Sequence, residues 1–371
     1  MTAEQLNIVE ELMSTYILVD YSNLVHRCKH VTAPDIETKT GMALHIILNS
    51  LRQMWRKFDA DHIVVCLEGK GWRKTIMPDY KQHRRDLEAL RTPKEVEDDK
   101  FYFTAMQQFS DFLRDRTNVT ILQTKLAEAD DLVAHWIRLH PNDKNIILSG
   151  DSDFYQLLND NVLMYDGVKG WLISTTQVLN EHNKPAKIKK NLKEKDKKTG
   201  KIITRTEEVN VKPPVPEYEL FKKIIRGDPT DNIMGAYPGV RENGSSKRPG
   251  IVEAFNDRIM KGYEWNQFML TEWDKMVGVD EDGNPVMKRV RVTDEFKINQ
   301  ILIDLSKQPD DVKQVIEEEI LRAVQKPMSS SVGVRFIQFT QRMGLTTIGN
   351  NPNDYAKMLA SPYARETVSC Q

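Results

Sequence analysis

Residues 145–158 read NIILSGDSDFYQLL. A short apolar run, Ile146 to Leu148, is closed by a Ser-Gly turn, and the acids Asp151 and Asp153 follow at once. A continuous apolar run of this length bounded by a turn signal fits a fully buried strand. Working outward, the same grammar recurs. YILVD (16–20) ends on Asp20, and HIVVCL (62–67) runs directly into Glu68. NVTIL (118–122) and VLMY (162–165) add two more strands. Between them, residues 41–58 place Leu44, Ile47, Leu48, Leu51, Met54 and Trp55 at helical spacing. Residues 101–113 and 128–139 also read as helices, and 153–158 as a short one. Strands alternating with helices predict an α/β fold, a mostly parallel sheet flanked by helices on both faces.

In such a sheet the ligand site is the crevice outside the carboxyl ends of the strands. Asp20, Glu68, Asp151 and Asp153 all stand at such ends. EADD (128–131) adds Glu128, Asp130 and Asp131 at a helix start, and GDPTDN (227–232) adds Asp228 and Asp231 in a turn. On a regular helix Glu128 and Asp131 share a face, with Asp130 about 100° round from Asp131. Singly, each group has an ordinary reading. Asp20 and GDPTDN suit turns, and EADD suits a solvated helix start favoured by the dipole. Together, so many carboxylates would repel one another unless cations were bound. An oxygen-only donor set without Cys or His suits magnesium, with manganese as a substitute. Two such ions about 4 Å apart can stabilise the attacking and leaving oxygens of phosphodiester hydrolysis. The expected metal ligands are therefore these nine acids, direct or through water.

Bulk charge is silent about nucleic acid, because Lys+Arg 53 nearly cancels Asp+Glu 54. Local patches must decide. Beside Glu68 stand Arg73, Lys74, Tyr80, Lys81, Arg84 and Arg85. Lys and Arg neutralise phosphates and an aromatic ring can stack on a base. The plainer reading is a solvated helix face with Tyr80 packed on the sheet, and Trp72 reads as a packing residue. Residues 182–214 are rich in Lys and poor in large apolar side chains, so they form a basic loop or a long hairpin. Whether they touch a duplex backbone or only solvent stays open. In GAYPGVRENGSSKRPG (235–250), Gly239, Gly244 and Gly250 with Ser245, Ser246, Lys247 and Arg248 could present N–H groups to a phosphate. From Ile251 onward the pattern is mainly helical.

Cys28, Cys66 and Cys370 form no close pair, which fits a reducing cytoplasm and excludes a Cys-ligated zinc site. Glu4, Glu10 and Glu11 precede the first strong apolar run, the opposite of a signal peptide. No apolar run approaches roughly 18 residues, so no membrane span is expected. Residues 1–12 read equally as an ordinary helix or a short clamp-binding tail.

The segments ILVDYSNL, VVCLEGKGWRKTIMPDYKQHRR, LAEADDLVAHW, IILSGDSDFYQLL and KIIRGDPTDNI, in that order, resemble the structure-specific 5′ nuclease (flap endonuclease) superfamily with its PIN-like fold. Within it they are most similar to the ribonuclease H enzymes of T-even phages. The chain is expected to divide into a nuclease core over 1–181, a Lys-rich insertion or loop over 182–214 that the resemblance does not account for, and, over 215–371, the end of the active site with a helical duplex-binding part. The resemblance implies two-metal 5′ to 3′ exonuclease and flap cleavage of RNA/DNA and DNA/DNA duplexes, with removal of lagging-strand RNA primers. Lys81 and Arg84 would then be catalytic, and Arg73, Lys74, Tyr80, Arg85, Lys247 and Arg248 would bind nucleic acid. Duplex, nicked or forked DNA and RNA/DNA hybrids are the implied partners, with a replication clamp or single-strand-binding protein beside them. Glu68 departs from the family's usual Asp. Two rival readings are a single-strand ribonuclease of the PIN toxin kind and a non-catalytic DNA-binding scaffold. Length and the GDPTDN segment oppose the first, and the retained acids oppose the second.

Overall fold

The computed structural model describes residues 13–195 and 202–364. Residues 1–12, read above as helix or clamp-binding tail, and Cys370 lie outside them. Seven strands form one sheet in the order β3-β2-β1-β4-β5-β6-β7. They are β1 Thr15–Asp20, β2 His62–Cys66, β3 Thr120–Leu122, β4 Lys144–Leu148, β5 Val162–Asp166, β6 Trp171–Ile173 and β7 Val178–Leu179. β1 to β5 run parallel, and β6 and β7 turn back antiparallel at one edge. This is the expected α/β architecture.

Successive side chains of a strand point to opposite faces, and here both faces are covered. Ile17, Val19, Ile63 and Val65 enter a core with the helices Ile36–Lys57 and Pro93–Arg116. Tyr16, Leu18, Val64 and Cys66 enter the other, with the helix Ala129–Leu139. That two-sided burial is why the strands read as unbroken apolar runs. C-terminal helices complete both layers. Val312, Ile316 and Ile320 of Asp310–Val324 join the second core, while Phe336 and Phe339 of Val332–Arg342 join the first. A smaller apolar cluster unites Pro216–Arg226, Ile251–Asp257 and Tyr263–Met269 through Phe221, Ile225, Ile251, Ala254 and Phe268.

Of the two alternatives for 182–214, the hairpin is present. β8 (Lys187–Lys195) pairs antiparallel with β9 (Ile202–Asn210) and, among the described residues, with no other strand. A second hairpin, β10 (Glu272–Val279) with β11 (Pro285–Arg291), interrupts the mainly helical C-terminal third. No helix among the described residues is long and apolar enough to cross a membrane.

Candidate active site

β1 connects onward to β2 on one side of it, whereas β4 lies on its other side, so the chain direction switches between β1 and β4. Side chains at their carboxyl ends face a crevice that no crossover covers. Asp20 is the last residue of β1, and it caps the next helix by accepting the Asn23 N–H at 3.0 Å. Glu68 follows β2 by two residues. Asp151 and Asp153 lie where β4 gives way to a short 3₁₀ turn, Ser152–Leu157. Asp130 stands in the first turn of Ala129–Leu139. Asp228 and Asp231 sit in a reversal closed by hydrogen bonds between Asp228 and Ile233. Gly227 makes that reversal possible: its φ is +72°, and a Cβ there would lie 2.4 Å from the Ile233 carbonyl oxygen.

These seven carboxylates line one cleft of about 530 Å³, together with Lys81, Arg84 and Lys223. Seven acids against three permanent cations leave an excess of negative charge. Burial first, then Asp130 and Asp151, push the Asp20 carboxyl up to about 7. Burial and the neighbouring Asp151 push Asp153 up to about 7, and Asp151 moves in the same direction. Glu68 is raised too, although 38% of its side chain stays open to water and Lys81 works against the shift. Asp228 goes the other way. Burial opposes its charge, but the Thr230 hydroxyl and the Lys223 ammonium together hold it below the usual carboxylate range.

Among the described residues no three His, Cys, Asp or Glu are grouped so as to hold one ion as they stand. Ammonium groups lie between the acids instead. Lys81 Nζ is 2.5 Å from Glu128 and 3.4 Å from Glu68. Lys223 pairs with Asp153, and with Asp228 at 2.9 Å. Arg84 reaches Asp231 at 2.6 Å.

Several expected site residues are placed elsewhere. Glu128 and Asp131 are 2% and 0% exposed and do not line the cleft. Their partner is Arg73, itself buried, so Arg73 cannot meet nucleic acid as expected. Tyr80 is also buried, its hydroxyl within 2.9 Å of both Glu128 and Asp231, and is not a free stacking surface. Trp72 packs inside, as read, and donates to Asp131 at 3.2 Å. Lys74 is half-buried, and exposed Arg85 donates to the Pro78 carbonyl. Lys247 and Arg248 are exposed on the 235–250 loop, outside the cleft. The Gly244 and Gly250 N–H groups both donate to Glu253 at 2.9 Å, so that carboxylate already fills the pocket expected for a phosphate.

The sequence reading missed Lys223, Asn23 and Ser149. Ser149 donates to Asp20 at 2.9 Å, and Asn23 accepts the Gly150 N–H at 3.0 Å, so both brace the β1 and β4 ends together. Lys223 had a signal: it lies five residues before Asp228 on a helix that must end beside it.

Residues 15–192 match the family described as 5′-3′ exonuclease, N-terminal resolvase-like domain. That match spans just under half of the chain. Among curated proteins, the flap endonuclease Xni of Psychromonas ingrahamii is 30% identical over 175 residues, 45% of this chain and 62% of that protein. DNA polymerase I of Rhizobium leguminosarum is 26% identical over 257 residues, 65% of this chain and 20% of that protein. The chain thus spans less than two thirds of the length of these relatives. The bacteriophage T5 5′-exonuclease with bound zinc ions superposes with TM-score 0.52 at 18% identity, covering 83% of this chain and 99% of that one. A T5 flap endonuclease variant in a pseudo-enzyme-product complex with DNA and metal ions superposes with TM-score 0.51 at 19% identity, covering 84% and 100%. At such identities the two structures show the fold alone.

Proposed function

We propose that this protein is a magnesium-dependent 5′ nuclease, a 5′ to 3′ exonuclease and flap endonuclease acting on RNA/DNA and DNA/DNA duplexes. The observation that carries the reading is the convergence of seven carboxylates, from five separate chain segments, on one cleft at the sheet's switch point. Removal of RNA primers during lagging-strand replication, beside a clamp or a single-strand-binding protein, is the role that fits such an activity.

The donor set fits hard divalent cations. It is all oxygen, and seven carboxylates against three cations leave the cleft short of positive charge. Asp20, Glu68, Asp130, Asp151, Asp153, Asp228 and Asp231 would hold the ions, directly or through water. The chemistry supplied there is activation of a water and neutralisation of charge on the attacking and leaving oxygens.

The chain's own cations do the rest. Lys81 and Arg84 rise from the 73–85 segment on one side of the cleft, and Lys223 from the helix Pro216–Arg226 on another. A phosphate entering between them meets three positive groups already aimed inward, which favours the charge that builds on its oxygens. Magnesium-dependent cleavage of a 5′-labelled forked duplex, stopped by chelator, is the expected result. A protein that binds the fork but leaves it intact at saturating magnesium would be the non-catalytic scaffold instead.

A further inference from the structure

Two of the nine acids are withheld from the cleft and given to one arginine. Arg73 is 1% exposed. Its Nη1 and Nη2 donate to the two Asp131 oxygens at 2.8 and 2.9 Å, and Nη1 also reaches Glu128 Oε2 at 3.0 Å. Its Nε donates to the Leu302 carbonyl at 2.7 Å. Asp131 takes further donors from Trp72 and from Gln308 Nε2 at 3.3 Å. Glu128 has one oxygen left, and Oε1 accepts the Lys81 ammonium at 2.5 Å. Two buried carboxylates thus meet two cations, with Tyr80 donating to Glu128 as well and Lys81 also reaching Glu68 at 3.4 Å. A buried ion pair holds only when its remaining hydrogen-bonding capacity is met, and here it is.

The local sequence is shaped for this contact. In GKGWR (69–73), a Cβ on Gly71 would lie 2.9 Å from Glu128 Cγ, and one on Gly69 would lie 2.1 Å from the Thr124 carbonyl oxygen. Both glycines let the backbone lie against the start of Ala129–Leu139. The planar five-donor fork of Arg spans two carboxylates and a carbonyl at once, which a lysine cannot do. Lys81 itself has φ +57°, a left-handed backbone that a residue with a side chain keeps only when its surroundings fix it. Its N–H donates to the Asp231 carbonyl at 3.0 Å.

We infer that Arg73 is the positioning residue for Lys81: it fixes Glu128, whose free oxygen holds the Lys81 ammonium at the cleft. The Leu302 carbonyl ties this relay to the helix Val292–Ile303. Glu128 and Asp131 then serve to hold cations of the chain, not metal ions. The inference rests on Lys81 facing the reacting phosphate, as proposed above.

A double-mutant cycle on the single-turnover rate tests it. Lys81→Ala alone tests the underlying reading: a rate equal to wild type ends the catalytic role of Lys81. Arg73→Lys keeps the charge but not the fork. Its rate should fall at least about tenfold, with affinity for forked duplex changed less than about twofold, an effect made only in the transition state. That loss should vanish in the Lys81→Ala background, the double variant being as slow as Lys81→Ala. Losses that multiply would show Arg73 acting independently of Lys81 and overturn the inference. Glu128→Gln should behave like Arg73→Lys in the same cycle, and it carries the test if Arg73→Lys does not fold. Calorimetric titration with Mn²⁺ separates the rival role. Glu128→Gln should bind Mn²⁺ within about twofold of wild type, and a tenfold weakening would make Glu128 a metal ligand.

Discussion

Replacing Asp153 by Asn should abolish cleavage and make the protein more stable. The Asp153 carboxyl rises from 3.8 to about 7 because burial and Asp151 disfavour its charge. Each unit corresponds to about 1.4 kcal/mol, so full ionisation of Asp153 in the folded chain costs up to about 4 kcal/mol. Asp151 titrates with it, and Lys223 loses a partner in the variant, so the recoverable part is about 1–2 kcal/mol. For a chain of this size that is a rise in Tm of about 1–3 °C. The sign follows from linkage. A carboxyl raised in the folded state destabilises progressively from pH 3.8 upward, with the full penalty present above about 7. The gap between variant and wild type should therefore be largest near pH 8 and shrink to roughly a third of that at pH 5. Thermal melts in chelator at both pH values, beside single-turnover cleavage in magnesium, measure the two effects. A variant no more stable than wild type at pH 8 would show that Asp153 is not held at a cost. Undiminished cleavage would remove it from the metal site.

Two further outcomes are expected. Replacing 187–210 by a two-residue Asn-Gly turn should change stability little, because β8 and β9 pair only with each other; if their lysines meet phosphates, the slope of log affinity against log salt falls by about 0.9 per phosphate, with cleavage at saturating enzyme kept, whereas an unchanged slope means they face solvent. His62 is 1% exposed, placed between Thr120 Oγ1 at 2.7 Å and the Ser361 carbonyl at 3.1 Å, and burial lowers it from 6.5 to about 4; stability held above pH 6.5 should fall by up to about 3 kcal/mol as pH drops toward 4, and a His62→Gln variant with the same acid profile in thermal melts would refute that origin.

The parallel sheet was legible because its strands β1 to β4 are buried on both faces, which leaves runs such as YILV and IVVCL without polar interruption. Other elements carried signals that periodicity alone did not weigh. The helix Pro93–Arg116 begins eight residues before the expected start, at a capping box in which Thr92 and Glu95 cap each other and Pro93 opens the first turn. TPKE is a start signal in its own right. The hairpin β10–β11 turns on DEDGN, with Gly283 at φ +83°, between flanks of alternating character. Its strands are mostly exposed, so they lack the apolar face that makes a strand obvious. The C-terminal helices were legible as helices, but their distribution over both faces of the sheet was not. Apolar stripes say that a face is buried and do not say against what.

EADD shows where reading acids as a group stops. Its three acids meet three different fates. Glu128 precedes the helix and turns to Lys81, Tyr80 and Arg73; Asp130 faces the cleft; Asp131 turns inward. The 100° step between consecutive helical residues guarantees that Asp130 and Asp131 diverge, and it leaves open which of them looks outward. What decides is the buried guanidinium of Arg73, 58 residues earlier in the chain. An arginine beside Glu68 reads as a phosphate contact while its neighbours are taken one at a time. It reads as a structural counter-ion once Gly69, Gly71 and Trp72 are seen to press the same segment against the helix start. The charge count then follows: nine acids in sequence become seven in the cleft, and of the two withdrawn Asp131 pairs with Arg73 while Glu128 pairs with Lys81, which lines the cleft beside the seven.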